Sequence, residues 1–264
     1  MTARIVAVTN QKGGVGKTTT CVNLAASLAA TRRRVLLVDM DPQGNATMGS
    51  GLEKNELSLS GFDVLTRRRD AAEVTVEAPE SGFDVLPANG DLTAAEVELM
   101  NEIGREHRLR LALKPLREQY DFILVDCPPA LNLLTVNALA AADSVLIPMQ
   151  CEYYALEGLA ALMSTIEQIQ ETVNPALEIE GILRTMYDPR NSLTLDVSSQ
   201  LSEYFGDKVY SAVIPRNVRL AEAPSYGMPA LRYDRNSKGA VSYLALAGEI
   251  VRRTGTGRGA AVAV

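Results

Sequence analysis

The chain has 264 residues with 26 Lys/Arg, 32 Asp/Glu and a single His, a formal net charge of −6, and 47% hydrophobic against 22% charged residues. This is the composition of a soluble globular protein, and no apolar run approaches the roughly 18–20 residues that a membrane span needs. Three cysteines, Cys21, Cys127 and Cys151, are odd in number, far apart and set in apolar sequence, which argues for buried free thiols and against a disulfide framework or zinc site.

Residues 4–9, RIVAVT, predict a buried parallel strand, and residues 21–28, CVNLAASL, predict a helix. Between them lies Asn10-Gln11-Lys12-Gly13-Gly14-Val15-Gly16-Lys17-Thr18-Thr19-Thr20, a glycine-rich turn from strand to helix. Glycines at 13, 14 and 16 let successive backbone N–H groups converge, and the helix N-terminus adds partial positive charge. A loop of this kind, Gly13 to Thr19 with Val15 inside it, cradles phosphates. Lys17 is expected to reach the β and γ phosphates of a nucleotide, and the Thr18 hydroxyl to ligate Mg²⁺. A strand leads straight into the loop, so no signal peptide and a cytoplasmic location are expected.

Residues 34–39, RVLLVD, predict a second strand that ends in Asp39-Met40-Asp41-Pro42-Gln43-Gly44-Asn45. Its carboxylates fall at a strand's C-terminal end, where open α/β sheets bind ligands. Residues 52–80 show no strong period and predict helical and loop connections. Residues 83–87 predict a short strand, and residues 92–113 carry helical spacing broken near Gly104, with His107 a solvated side chain in a charged segment. Residues 120–126, YDFILVD, predict a strand closing on Asp126, a candidate to hold Mg²⁺ through a coordinated water.

Further helices are predicted at 133–142, 156–173, 195–205 and 240–253, and strands at 144–148, 179–186 and 209–214, the last leading into a loop at 215–219. The alternation predicts an α/β fold: a mostly parallel twisted sheet flanked by helices on both faces, one P-loop domain over residues 1–253, then a flexible tail at 254–264.

Charge is unevenly placed. From Arg184 to the end there are eleven Lys/Arg against seven Asp/Glu, so the last third is locally basic inside an acidic chain. Phosphoryl transfer asks mainly for positioning, positive charge at the γ-phosphate and a group that orients the attacking water. Asp41 is the candidate for that last role and Asp39 for support of the metal shell, although a carboxylate so placed also serves as a cap or turn former.

The ordinary P-loop has Gly where this chain has Gln11, and here a second lysine, Lys12, opens the loop. The form K-G-G-x-G-K-[ST] resembles the deviant Walker A motif of the family containing ParA, MinD and the nitrogenase iron protein. Asp39 to Asn45 is similar to the D-x-D-P-Q-[GA]-N segment of ParA-type ATPases, and Asp126-Cys127-Pro128-Pro129 to their D-x-P-P segment. Residues 213–225, VIPRNVRLAEAPS, resemble the C-terminal signature of the chromosomal ParA (Soj) branch, so the likeness runs from about residue 4 to residue 253.

The resemblance implies an ATPase with Mg²⁺ as cofactor and weak intrinsic activity. In it Lys12 crosses a dimer interface to the partner's nucleotide, Asp41 is the hydrolytic acid, and Pro215, Arg216 and Asn217 contact the adenine largely through backbone groups. It also implies an ATP-dependent homodimer, a ParB-type centromere-binding partner, and non-specific double-stranded DNA bound on the nucleoid through Arg190 and Arg219. Arg232, Arg235, Lys238, Arg252 and Arg253 are weaker candidates, each also readable as part of a solvated charged face.

Two other readings share the loop. A MinD-like, membrane-associated positioning ATPase would end in an amphipathic basic-apolar helix, whereas residues 254–264 hold three glycines and neither Leu nor an aromatic residue, so no membrane partner is expected. An iron–sulfur reductase would need paired cysteines, which the spacing of Cys21, Cys127 and Cys151 does not suit. ParA-like transcription regulators carry an added N-terminal helix-turn-helix domain, and a chain starting at its first strand resembles the short form.

Overall fold

Residues 5–8, 35–38 and 122–125 are apolar at every position, which suits strands covered by helices on both faces. The computed structural model describes residues 2–255 and has this architecture. In chain order come β1 (Arg4–Val8), α1 (Lys17–Ala30), β2 (Val35–Asp39), α2 (Asn45–Gly49), α3 (Gly61–Leu65) and α4 (Ala71–Val74). Then follow β3 (Val76–Ala78), β4 (Phe83–Leu86), α5 (Leu92–Glu98), α6 (Arg108–Leu113), β5 (Phe122–Asp126), α7 (Leu133–Ala141) and β6 (Ser144–Gln150). The chain continues through α8 (Ala155–Thr172), β7 (Glu178–Tyr187), α9 (Ser192–Phe205), β8 (Val209–Pro215), α10 (Val218–Glu222), α11 (Ala230–Tyr233) and α12 (Lys238–Arg253).

The sheet order is β3-β4-β2-β5-β1-β6-β7-β8. Every neighbouring pair is parallel except β3 with β4. Alternation along the strands splits the core in two. Ile5, Leu36, Ile123 and Ile147 face α7 and α8, while Val6, Leu37, Leu124 and Leu146 face α1 and α12. Leu24 and Leu28 of α1 are fully buried on the second face, each worth about 1.5–3 kcal/mol over an exposed side chain, which fixes that helix firmly behind the loop it follows. Register then sets the site: Val8 and Asp39 both lie opposite Asp126, so the ends of β1, β2 and β5 meet.

Three local expectations differ. α1 starts at Lys17, four residues early, because Gly16 in the left-handed region turns the chain directly into the helix and burial outweighs the weak helix preference of three threonines. Val76–Ala78 is an antiparallel edge strand, too short to show a period. Residues 218–222 form a helical turn, not a loop, with Asn217 as its cap. Of the tail expected at 254–264, residues 256–264 lie outside the described residues.

Candidate nucleotide site

The glycine-rich loop is shaped by backbone conformation and pinned from its flanks. Gly14 (φ +74°) and Gly16 (φ +89°) occupy the left-handed region that disfavours any side chain. No side chain caps the N-terminus of α1, which leaves its first-turn N–H groups directed at the loop. Asn10 Nδ2 donates to the Pro148 carbonyl at 2.8 Å, and its Oδ1 accepts from Lys12 N at 2.9 Å. Gln11 Nε2 donates to Thr165 Oγ1 at 3.0 Å, and Thr185 Oγ1 to the Val15 carbonyl at 2.8 Å.

The two lysines sit in opposite surroundings. Lys17 is 7% exposed, and its Nζ donates to the Lys12 carbonyl at 3.2 Å. Burial lowers its pKa, against the pull of the Asp126 charge. Lys12 is exposed and its Nζ lies 2.6 Å from Glu152 Oε2, an ion pair within the chain at the entrance to α8. Thr18 and Thr19 are partly buried in the first turn of α1.

Asp126 is fully buried. Its Oδ1 accepts from the Cys21 thiol at 3.4 Å, while its Oδ2 has no hydrogen-bond partner. An unpartnered buried carboxylate oxygen is costly, and beside a Thr hydroxyl at a phosphate loop it suits a hydrated divalent cation. The residues therefore fit Mg²⁺. Burial, joined by the Asp39 charge, pushes the Asp126 carboxyl upward, and a bound divalent cation would favour the ionised form instead.

Asp39 is equally buried, but both its oxygens are used by the turn that follows. Oδ2 accepts from Thr47 N and Thr47 Oγ1, each at 2.8 Å, and Oδ1 from Asp41 N at 3.1 Å. Thr47 Oγ1 accepts in turn from Ala88 N at 2.9 Å. Asp39 thus shapes the 41–47 turn, and of the two acids Asp126 is the one with an oxygen left unpartnered. Asp41 is half-buried, with Oδ1 accepting from Gln43 N at 2.9 Å.

Pro215, Arg216 and Asn217, more than 190 residues from the loop in sequence, line one cavity of about 260 Å³ with Gly16, Thr19 and Tyr243. A larger cavity of about 380 Å³ between residues 64–72 and 108–116 contains no loop residue. The basic residues do not form one cluster with these. Arg190 and Arg219 are exposed and ion-paired, to Asp188 and to Glu222 with Asp234. Arg232 and Arg235 line a separate cleft, and Lys238 and Arg252 are exposed on α12. Arg253 is exposed but engaged by its own chain, donating to Glu249 and the Asp207 carbonyl and lying over the Tyr210 ring. All three cysteines are free and buried, and among the described residues no His/Cys/Asp/Glu group could hold a metal by itself.

Five residues hold the site together without having been marked by the sequence: Asn10, Cys21, Thr47, Glu152 and Thr185. Asn10 opens the loop and could be read from its position. Thr185 meets Val15 only because β7 lies two strands from β1, which no local pattern reveals.

A phosphate loop between a parallel strand and a helix, with acidic ends on the adjoining strands, defines a P-loop nucleotide-binding protein of the deviant Walker A kind. A family model described as "AAA domain" matches residues 3–179. The chromosome partitioning protein ParA of Myxococcus xanthus is 53% identical over 250 residues, 95% of this chain and 88% of that protein. Sporulation initiation inhibitor protein Soj of Bacillus subtilis is 53% identical over 247 residues, 94% of this chain and 98% of that protein. The crystal structure of cobyrinic acid a,c-diamide synthase from Mycobacterium smegmatis with bound ATP analog and magnesium is 38% identical, covers 97% of each chain and superposes with a TM-score of 0.84. The chain belongs to the ParA/Soj family of partitioning ATPases.

Proposed function

We propose that the chain is an ATP-dependent DNA-partitioning switch. ATP closes two copies face to face, the dimer grips nucleoid DNA without sequence preference, and a ParB-type partner stimulates hydrolysis and releases it. The observation that carries the nucleotide-dependent part of this reading is the burial of Lys17 and of nearby Asp126, whose Oδ2 is unpartnered, at the uncapped start of α1. The relatives at 53% identity, and not the synthase at 38%, guide the choice of role.

In this reading the Gly13–Thr19 backbone and Lys17 hold the phosphates, Thr18 and, through water, Asp126 hold Mg²⁺, and Pro215, Arg216 and Asn217 border the adenine. Mg²⁺ would supply charge neutralisation to the phosphates when bound. Asp41, carried on a turn that Asp39 and Thr47 make rigid, orients the attacking water. Lys12 leaves Glu152 to reach the partner's nucleotide. An exposed pair of this kind is worth only about 0.2–1 kcal/mol, so a phosphate readily displaces it. Slow intrinsic turnover suits a switch that must hold its state. No helix of the described residues is long and apolar enough to cross a membrane, and the proposed location is the cytoplasm, on the nucleoid.

The test is ATPase activity with and without DNA and a centromere-binding protein of the ParB type, which together are expected to raise the rate. A rate indifferent to both sinks the switch. Two substitutions probe the parts. Thr185→Val removes the bond to the Val15 carbonyl and should weaken ATP binding about fivefold, near 1 kcal/mol, in a calorimetric titration; unchanged affinity would mean that the loop keeps its shape without β7. Arg219→Ala should dimerise with ATP yet lose most DNA affinity, and the salt slope should fall by about one unit per phosphate contact removed. Retained affinity with an unchanged slope removes Arg219 from the DNA surface.

A further inference from the structure

Both arginines assigned to the DNA surface are already engaged by carboxylates of their own chain. Arg190 is 88% exposed along its side chain and closes a two-point fork on Asp188, Nε to Oδ1 at 2.9 Å and Nη2 to Oδ2 at 2.8 Å. Arg219 is held from two directions: Nη1 donates to Glu222 Oε2 at 2.7 Å within α10, and Nε lies 3.3 Å from Asp234 Oδ2, just beyond α11. Tyr233 Oη, at 3.5 Å, helps to place Glu222. Among the described residues Arg232, Arg235, Lys238 and Arg252 form no ion pair.

A guanidinium carries five N–H donors, and each of its edges suits a carboxylate or a phosphate. Asp188 occupies the Nε/Nη2 edge of Arg190, and Glu222 and Asp234 occupy Nη1 and Nε of Arg219, so carboxylate and DNA phosphate compete for those donors. We propose that Asp188, Glu222 and Asp234 are affinity-setting residues: they occupy donors of Arg190 and Arg219 and offset part of their charge, so that DNA phosphates gain the full set of contacts only by displacing them. The proposal rests on the DNA-binding reading above and adds to it a built-in limit on the grip.

Exposed ion pairs are weak enough to yield to a polyanion and strong enough to subtract from its binding. A displaced carboxylate also takes up a cation from solution, which offsets part of the counterion release that drives association. The guarded arginines thus give both a lower affinity and a shallower salt slope than free ones. For a protein that must let go of DNA when its nucleotide is spent, that limit keeps release fast.

The experiment measures anisotropy of a fluorescein-labelled random-sequence duplex with the full chain, Mg²⁺ and a non-hydrolysable ATP analogue, over a range of salt. The variant combining Asp188→Asn, Glu222→Gln and Asp234→Asn keeps the turn acceptors and is compared with a charge-matched control, Glu73→Gln, Glu80→Gln and Glu171→Gln, at exposed acids outside the ion pairs given above. The first should bind roughly 5- to 20-fold more tightly and with a steeper salt slope, and the control should change by less than about twofold. In an Arg219→Ala background, Glu222→Gln should have no further effect. Equal tightening by the control, no tightening by the first variant, or a Glu222→Gln effect that survives loss of Arg219 overturns the proposal. Failure of the unsubstituted chain to bind duplex even at low salt overturns the DNA-binding reading itself.

Discussion

A Lys17→Ala chain should fail to bind nucleotide at concentrations that saturate the unsubstituted protein, a loss of at least about 100-fold, or ~2.7 kcal/mol. Lys17 is 7% exposed, and its ammonium has one hydrogen bond, a 3.2 Å contact to the Lys12 carbonyl. Little of the fold depends on that group, whereas burial strengthens any bond that it makes to a phosphate. Its loss also removes the cation that lies near Asp126 and Asp41, leaving the two acids less favourable neighbours for a polyanion. Titration with a fluorescent ATP analogue reads the affinity. The melting temperature without nucleotide should stay near the unsubstituted value, while the rise produced by Mg-ATP should vanish. Binding within a few-fold of normal would mean that the loop's backbone N–H groups suffice.

Asp41→Ala should separate binding from hydrolysis. The Asp41 side chain accepts from Gln43 N, but the turn around it is held by Asp39 through the Asp41 and Thr47 backbone and by the Thr47 hydroxyl. Alanine keeps the first of those backbone donors, so the substitution removes a carboxylate and leaves the shape. Turnover should fall at least about 100-fold, the usual scale for loss of a group that positions or deprotonates a nucleophile. ATP affinity should move by less than about threefold, and the dimer should persist. Steady-state phosphate release with light scattering on the same sample checks both halves. Normal hydrolysis would pass the water-orienting role to another group.

The strands and the phosphate loop were legible because both follow short-range rules: unbroken apolar runs bounded by acids, and glycines before Lys17. Register supplied what those rules omit. Asp39 and Asp126 read alike as strand-end acids, yet Thr47 claims both oxygens of one with the Asp41 backbone, while the other keeps Oδ2 free. That difference arises from the path of residues 41–47 and has no local signal. Arg253 and Arg252 are neighbours of one type, and only the placement of Glu249 and Tyr210 ties the first to its own chain. Lys12 likewise reads as a free charge until Glu152 arrives from the end of β6.

Lys12, exposed and paired to Glu152, and Lys17, buried beside Asp126, divide the loop between a face turned outward and a pocket turned inward. In the proposed switch, ATP in the pocket controls what the outward face and the arginine surface can bind. That control is tested most directly by measuring how the Asp41→Ala chain binds a random-sequence duplex with Mg-ATP and, separately, with Mg-ADP. Tight, salt-sensitive binding with Mg-ATP and little with Mg-ADP is the predicted result; equal binding with both nucleotides, or none with Mg-ATP, would contradict it.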